Sequence, residues 1–585
     1  MTQSPRIAII GAGLGGLTSA HEILKRMPKA RVTLYEVRNS LGGIWNYEDN
    51  PRQQDIKFDK YGTPHATISF NNMDKSTNTL SAIEEVPPSP VYPTLRTNLP
   101  VDLMSFRNDS WDDIPDATFP SHNKVLEYIV EYARRHHLEE LVAYRQRVTR
   151  VRHRPGAAKG SKGCMPPLDS RWEITVDDLD NGSSQTHRAD MIVNAAGHYA
   201  NPYIPFTEGL WSFEGTIFHS RWWRGPLSFR GKKVIVVGSR SSGYDVAREL
   251  AWLNHAPQNV QSPYEPAENG REPYTTVLQS SRMGPPAWDD APEWFKSIRQ
   301  LPAIARVGTD WVEFTDGAVE TSVDAIIFAT GYNYMFPFMQ SGDAPWSSHP
   351  VLDDRPEARE ITDVIPSEKR LKEDLPECAR GYAGVKNISI HQLFYLHDPS
   401  FVFIGLQKNI RPFSLWEAQA HVVAHCFALP SSEALPSRLL EPFHRDSKSD
   451  IRKAQVWPFP LEFDMTDDMI AAIEEKQTTR MISTLNAINK DKKSDPFHRN
   501  HMPPNTKSSF NDRKARDDRL KEMKAREKEM KSETETSRKE HTAKILERRK
   551  IKEEKERLAA VKSKADERRR KKQKKREGRS GKVNQ

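Results

Sequence analysis

Short apolar runs, each ending in a glycine-rich turn and followed by a helical pattern, open the chain and recur in its middle. Arg6–Ile10 (RIAII) runs into Gly11-Ala12-Gly13-Leu14-Gly15-Gly16. A helical pattern extends from Leu17 to Met27, closed by Pro28, and a second apolar run, Arg31–Tyr35 (RVTLY), ends in Glu36. The order is repeated at Lys233–Val237 (KVIVV), which leads into Gly238-Ser239-Arg240-Ser241-Ser242-Gly243. A helix is predicted from Tyr244 to Trp252, and the next strand, Thr275–Gln279, ends in Ser280-Ser281-Arg282. The polar, proline-rich stretch His255–Pro273 between them reads as a surface insertion. A further apolar strand is predicted at Ala325–Phe328. Strand, glycine turn, helix and strand in one unit of about 30 residues is the order of a dinucleotide-binding fold.

The pattern changes near Lys490. Lys490–Asp512 is polar, carries two adjacent prolines and reads as a disordered linker. From Arg513 the chain is mostly Lys, Arg, Glu, Ala and Met, with neither Pro nor Gly until Gly578. Glu–Lys and Glu–Arg pairs three and four apart favour a charged helix there. Its apolar positions, such as Leu520, Met523, Ile545 and Leu558, are too sparse for a sustained heptad seam.

Charge sharpens that division. The whole chain has 585 residues and a net charge of +8. Asn511–Gln585 holds 30 Lys+Arg against 16 Asp+Glu, a net of +14, which leaves 57 against 63, or −6, for residues 1–510. A slightly acidic body therefore carries a strongly basic tail. Three cysteines, Cys164, Cys378 and Cys426, make neither a disulfide framework nor a cysteine-based zinc site. No apolar run is long enough for a membrane span, and the N-terminus lacks a signal-peptide pattern. A soluble, reduced, cytoplasmic setting is expected for the body.

The two turns differ in chemistry. In the first, Gly11 permits the tight turn, Gly13 lets backbone approach a pyrophosphate, and Gly16 lets helix and strand pack closely. The helix N-terminus beyond Gly15 supplies free N–H groups. Glu36, 20 residues past Gly16, accepts hydrogen bonds from a ribose diol and repels a 2′-phosphate. That site is expected to hold FAD or NAD. In the second turn Arg240 replaces the middle glycine, and Ser239, Ser242 and the flanking Gly238 and Gly243 complete the frame. Ser281 and Arg282 stand where an acid would, and suit a 2′-phosphate. FAD in the first site and NADPH in the second is the economical pairing; a second unit without a ligand is the alternative. The expected fold class is α/β, with two Rossmann-like dinucleotide-binding domains, a disordered linker and a charged helical C-terminal tail. The expected boundaries are 1–205 and 331–475 for the FAD-binding domain in two parts, 206–330 for the NADPH-binding domain, 476–512 for the linker and 513–585 for the tail.

Further motifs follow in order: Leu41-Gly42-Gly43-Ile44-Trp45, then Tyr92-Pro93-Thr94-Leu95-Arg96-Thr97-Asn98-Leu99-Pro100, then Asn194-Ala195-Ala196-Gly197-His198-Tyr199. Phe213–Arg224 (FEGTIFHSRWWR), Phe328–Tyr332 (FATGY) and Pro412–Gln419 (PFSLWEAQ) complete the set. Together they resemble the flavin-containing monooxygenases, particularly the fungal ones, over roughly residues 5–430. The resemblance implies an NADPH-dependent, N,N-dimethylaniline monooxygenase-like enzyme that forms a C4a-hydroperoxyflavin. It would pass one oxygen atom of O2 to a nitrogen or sulfur of a small molecule. It implies a catalytic role for Asn98, whose neutral amide holds the oxygen species without strong acid or base character, and cofactor contacts from Thr97, Asn98, Gly43 and Trp45. An asparagine before Pro100 also suits a turn. His219 is expected to support domain geometry. Trp223 stands where the family has Tyr or Phe, and there is similar to the Baeyer–Villiger monooxygenases, so ester formation from a ketone is the alternative outcome. The histidines His136-His137, His421 and His425 read as solvated helix faces.

The tail resembles a second family. Lys521–Met530, Ile545–Leu558 and the cluster Arg568–Arg576, eight cations in nine residues, look like short fungal coiled-coil proteins of ribosomal RNA processing. That implies RNA or pre-ribosomal particles as partners and a nuclear or nucleolar address. Nothing physical joins such a tail to a flavoenzyme, so a gene fusion or a merged gene model is the alternative.

Overall fold

The structure, a computed structural model, describes residues 4–49, 51, 55–67, 88–109, 111, 118–157, 163–255, 274–282, 291–353, 361, 363–372, 375, 381–443, 455–457 and 461–474. The chain divides into two compact units, Met1–Arg480 and Met481–Gln585, and all described residues belong to the first. The predicted linker 476–512, the tail 513–585 and nearly all of the insertion His255–Pro273 lie outside the described residues.

Five of the helices position the site: α1 (Leu14–Arg26), α2 (His122–Arg135), α3 (Ser241–Trp252), α4 (Pro412–Phe427) and α5 (Leu461–Glu474). Two five-stranded sheets lie behind them. The first has the order Phe401–Phe403, Met191–Asn194, Arg6–Ile10, Arg31–Tyr35, Val142–Ala143, with every pairing parallel. The second runs Thr216–His219, Ala325–Phe328, Lys233–Val237, Thr276–Ser280, Arg299–Leu301, again all parallel. In each sheet the central strand feeds a glycine-rich turn, so both turns sit at the carboxyl ends of parallel strands, where open α/β sheets bind ligands.

Alternation along the strands builds the cores. Ile7 and Ile9 face Leu17, Ile23, Val125 and Val422 of the helices, whereas Ala8 and Ile10 face Trp172, Ile174 and Tyr395 on the other side. In the second sheet Val234 and Val236 pack with Val246, Leu250 and Trp223, and Ile235 with Trp211, Phe213 and Phe314. Each fully buried aliphatic side chain contributes roughly 1.5–3 kcal/mol.

Both phosphate-loop helices begin three residues earlier than the apolar pattern predicts, at Leu14 and Ser241 rather than Leu17 and Tyr244. The glycines belong to the first helical turn, where they let it settle onto the loop. A Cβ on Gly16 would lie 2.0 Å from the Gly11 carbonyl oxygen, and one on Gly243 2.2 Å from that of Gly238. The strand after α3 is also one residue later than expected, Thr276–Ser280. Among the described residues, no helix is long and apolar enough to cross a membrane.

Of the histidines expected on solvated faces, His137 is exposed, whereas His421 and His136 tie elements together. His421 Nδ1 meets Glu22 Oε2 of α1 at 2.9 Å. His136 stacks on His21 at 3.9 Å and meets Asp109 Oδ2 at 3.1 Å. Periodicity marks a helix face but not the neighbouring helix that covers it.

Candidate functional site

A single cavity is lined by Gly11, Gly13, Gly15, Glu36, Gly43 and Trp45, which the first turn, the first acid and the Leu41–Trp45 motif supply. Gly11 has φ +100°, and a Cβ there would lie 2.7 Å from the Ala195 carbonyl oxygen. Gly13 and Gly43 face one another, since a Cβ on Gly13 would stand 3.5 Å from Gly43 Cα. Side chains at these positions would fill the cleft, as a pyrophosphate cradle requires. Gly16 does not line it and serves packing, as above. No side chain caps α1 and its first turn carries no acid, so its N-terminal N–H groups are left to an anion.

Glu36 is 4% exposed. Its Oε2 accepts the Ala12 N–H at 2.7 Å and its Oε1 the Arg38 N–H at 2.9 Å. Burial pushes its carboxyl above the usual carboxylate range, against these backbone donors. The two bonds fix the carboxylate at the cavity edge and leave lone pairs for a ribose diol. The glycine cleft and the oriented acid fit an adenine dinucleotide such as FAD.

Three cavity residues escaped the sequence reading although they lie within quoted motifs: Arg221, His198 and Trp416. Arg221 is 1% exposed and donates to the Pro88 carbonyl from Nε at 3.1 Å and from Nη2 at 2.8 Å, and from Nη1 to the Ala200 carbonyl. Burial pulls the guanidinium down to about 10, so it stays charged at neutral pH. His219, two residues earlier, is fully buried. Its Nδ1 accepts the Arg221 N–H at 3.1 Å, which leaves Nε2–H to donate to the Gly331 carbonyl at 3.1 Å. Burial lowers its pKa to about 3. A neutral, doubly engaged imidazole joins the Phe213–Arg224 motif to the Phe328–Tyr332 turn.

The second turn copies the first. Gly238 has φ +116°, and a Cβ there would lie 2.6 Å from the Ala329 carbonyl oxygen. Arg240 occupies the place of Gly13 with nearly the same backbone, φ −82° and ψ −175° against −78° and −173°. The middle glycine is thus needed for space and not for conformation, and arginine substitutes without strain. Ser239 Oγ and Ser281 Oγ are 2.8 Å apart. Arg240, Ser242 and Arg282 are exposed around the turn.

Thr97 and Asn98 are placed elsewhere. Neither lines the cavity. Thr97 is buried and donates its hydroxyl to the Leu99 carbonyl at 2.8 Å. Asn98 is exposed, and its Nδ2 donates to Ser241 Oγ at 3.5 Å, at the first residue of α3. Trp223, the departure within the motif, is fully buried and donates its indole N–H to Glu249 Oε2 at 2.9 Å.

The family described as flavin-binding monooxygenase-like matches residues 84–261, and the family described as NAD(P)-binding Rossmann-like domain matches residues 9–80. The Cgr1 family matches residues 477–585. Among curated proteins of Arabidopsis thaliana, flavin-containing monooxygenase FMO GS-OX5 is 27% identical over 345 residues, 58% of this chain and 62% of its own length. FMO GS-OX-like 6 is 27% identical over 448 residues, 74% of this chain and 75% of its own length. The chain thus spans less than two thirds of the first of these relatives. The solved S-allyl-L-cysteine S-oxygenase from Allium sativum shares the fold, with a TM-score of 0.57 at 21% identity over 83% of this chain and 92% of its own. The flavin-binding and NAD(P)-binding matches indicate FAD and NADPH as cofactors. The relatives that the body of the chain matches are flavin-containing monooxygenases, and its C-terminal segment is similar to the Cgr1 family.

Proposed function

We propose that the body is an FAD- and NADPH-dependent monooxygenase that adds one oxygen atom of O2 to a nitrogen or sulfur of a small molecule. The observation that carries this is the pair of geometrically equivalent turns, Gly11–Gly16 and Gly238–Gly243, one followed by buried Glu36 and the other by Ser281 and exposed Arg282. When bound, the nicotinamide supplies hydride and the flavin supplies the chemistry that activates O2. This chain's residues do the rest. Glu36 orients an adenosine ribose, the α1 N-terminus holds the pyrophosphate, and Arg221 keeps a fixed cation at the cavity wall. Ser281 and Arg282 take the 2′-phosphate of NADPH beside the α3 N-terminus. His219, neutral at physiological pH, holds the domains in register and moves no proton. Asn98 lies outside that cavity, beside the start of α3; the resemblance of its motif to the flavin-containing monooxygenases gives it the role of a neutral donor to the reacting oxygen. Trp223 is occupied with Glu249, which supports reading its departure from the motif as a matter of packing.

Asn98→Ala tests the assignment. The variant should reduce FAD with NADPH at near the wild-type rate, release more H2O2 and form less oxygenated product. Arrest at flavin reduction would remove Asn98 from the oxygen step. A second reading is supported by the Cgr1 match at 477–585: a factor of ribosomal RNA processing that carries the enzyme body as its passenger.

A further inference from the structure

The segment that carries Asn98 lies along one face of α3. Ser241, Asp245 and Glu249 are four residues apart and share that face. The Tyr92 hydroxyl donates to Asp245, the Thr94 hydroxyl to Glu249, and the Asn98 amide to Ser241. Glu249 is fully buried, and its other oxygen takes the Trp223 indole N–H. Tyr92 is packed in the same core as Val246, Leu250 and Trp223. On its opposite side the segment is tied to the entry of α2: the Thr97 N–H donates to the Pro120 carbonyl at 3.0 Å and the His122 N–H to the Leu95 carbonyl at 3.3 Å. Residues 92–98 therefore form a strap between the two nucleotide-binding halves, with Asn98 at its end, beside the start of the helix that bears the second phosphate turn.

We propose that Glu249 is a positioning residue for Asn98: by accepting from Thr94 and Trp223 together it fixes the strap on α3, and so governs how much activated oxygen reaches product. The proposal rests on the oxygen-step role assigned above to Asn98. A buried carboxylate suits this place because both neighbours are donors, and an acceptor-only group satisfies both at once. A carboxamide of the same shape presents N–H groups to one of them and leaves a buried donor without an acceptor. Glu249 touches no reacting atom, so its effect should appear only through Asn98.

The test uses the full chain with Glu249→Gln, Asn98→Ala and the double variant. For each, anaerobic flavin reduction by NADPH and the fraction of NADPH that ends as H2O2 are measured. Glu249→Gln should raise the peroxide fraction at least about twofold, the lower end of coupling between contacting residues. Flavin reduction should stay near wild type, and the double variant should be no more uncoupled than Asn98→Ala. Thr94→Val, which removes the hydroxyl and keeps the shape, decides the matter if Glu249→Gln does not retain flavin; the same pattern is expected of it. A folded, flavin-loaded variant with the wild-type peroxide fraction, or effects that add in full to those of Asn98→Ala, would overturn the proposal. If Asn98→Ala itself leaves the peroxide fraction unchanged, the role of Asn98 falls, and this proposal with it.

Discussion

At the level of one side chain, we propose that Arg282 carries the cofactor choice. It is exposed at the end of the strand Thr276–Ser280, next to Ser281, whose hydroxyl meets Ser239 of the turn. A charged hydrogen bond to phosphate is worth roughly 1.5–3 kcal/mol, about ten- to a hundredfold in affinity. Arg282→Ala should therefore lose most of the preference for NADPH over NADH, read as the ratio of kcat/KM for the two. An undiminished ratio would shift the assignment to Arg240. Most of the first site was legible because its residues are local in sequence: glycine spacing and a strand-ending acid place Gly11, Gly13, Gly15 and Glu36 on one cavity. Arg221 and Trp416 were not, since a residue quoted within a motif reveals nothing of which wall it joins until distant strands are paired. Thr97 is a related case. Its motif shows a polar side chain beside Asn98, and only the fold shows that its hydroxyl donates to the Leu99 carbonyl.

At the scale of elements, α4 holds an acid whose ionisation the fold opposes. Glu417 accepts the Arg107 backbone N–H at 3.0 Å, yet burial, and then the nearby charge of Glu22, raise its pKa from 4.5 to about 7. A folded-state pKa above the unfolded one means that the folded chain binds more protons between those values. The associated stability is complete below about 4.5 and lost as pH rises through about 7. Glu417→Gln should flatten the fall in stability between about pH 5 and pH 8, by up to about 3 kcal/mol. Urea unfolding at the two pH values measures this; an unchanged difference would show that Glu417 is not the group responsible. Glu22 works in another window, because its bonds to His421 and Lys25 hold it near 2 and its contribution is lost only in acid. Helix contacts of this kind were invisible in the sequence. The apolar periodicity located α1 and α3 but misjudged their starts, because a glycine in the first turn looks like loop until its packing against Gly11 or Gly238 is seen.

For the whole molecule, the division between body and tail was plain from charge alone, and the boundary of the Cgr1 match at residue 477 falls close to where the composition changes. Two parallel sheets were foreseen from two repeats of one pattern. The strap of residues 92–98 between them was not, since it needs pairings across about 150 residues. The net charge of +14 on residues 511–585 makes a polycation whose binding to RNA should weaken with salt through counterion release. Tagged versions of the whole chain, of residues 1–505 and of residues 506–585 should separate: the first and last in the nucleus, the truncated body outside it. Equal distribution of all three would show that Arg568–Arg576 is no address.

We propose that this chain binds two nucleotides in order to place an oxygen atom from O2 on a small molecule. The most direct measurement is turnover of the purified full chain with NADPH under isotopically labelled O2, across amines, thiols, sulfides and ketones, with product mass recorded. A yellow, flavin-loaded protein is expected, one that oxidises NADPH and places one labelled oxygen atom in an amine, thiol or sulfide product. A flavin-loaded protein that oxidises NADPH yet leaves every such nitrogen and sulfur compound unlabelled would contradict it.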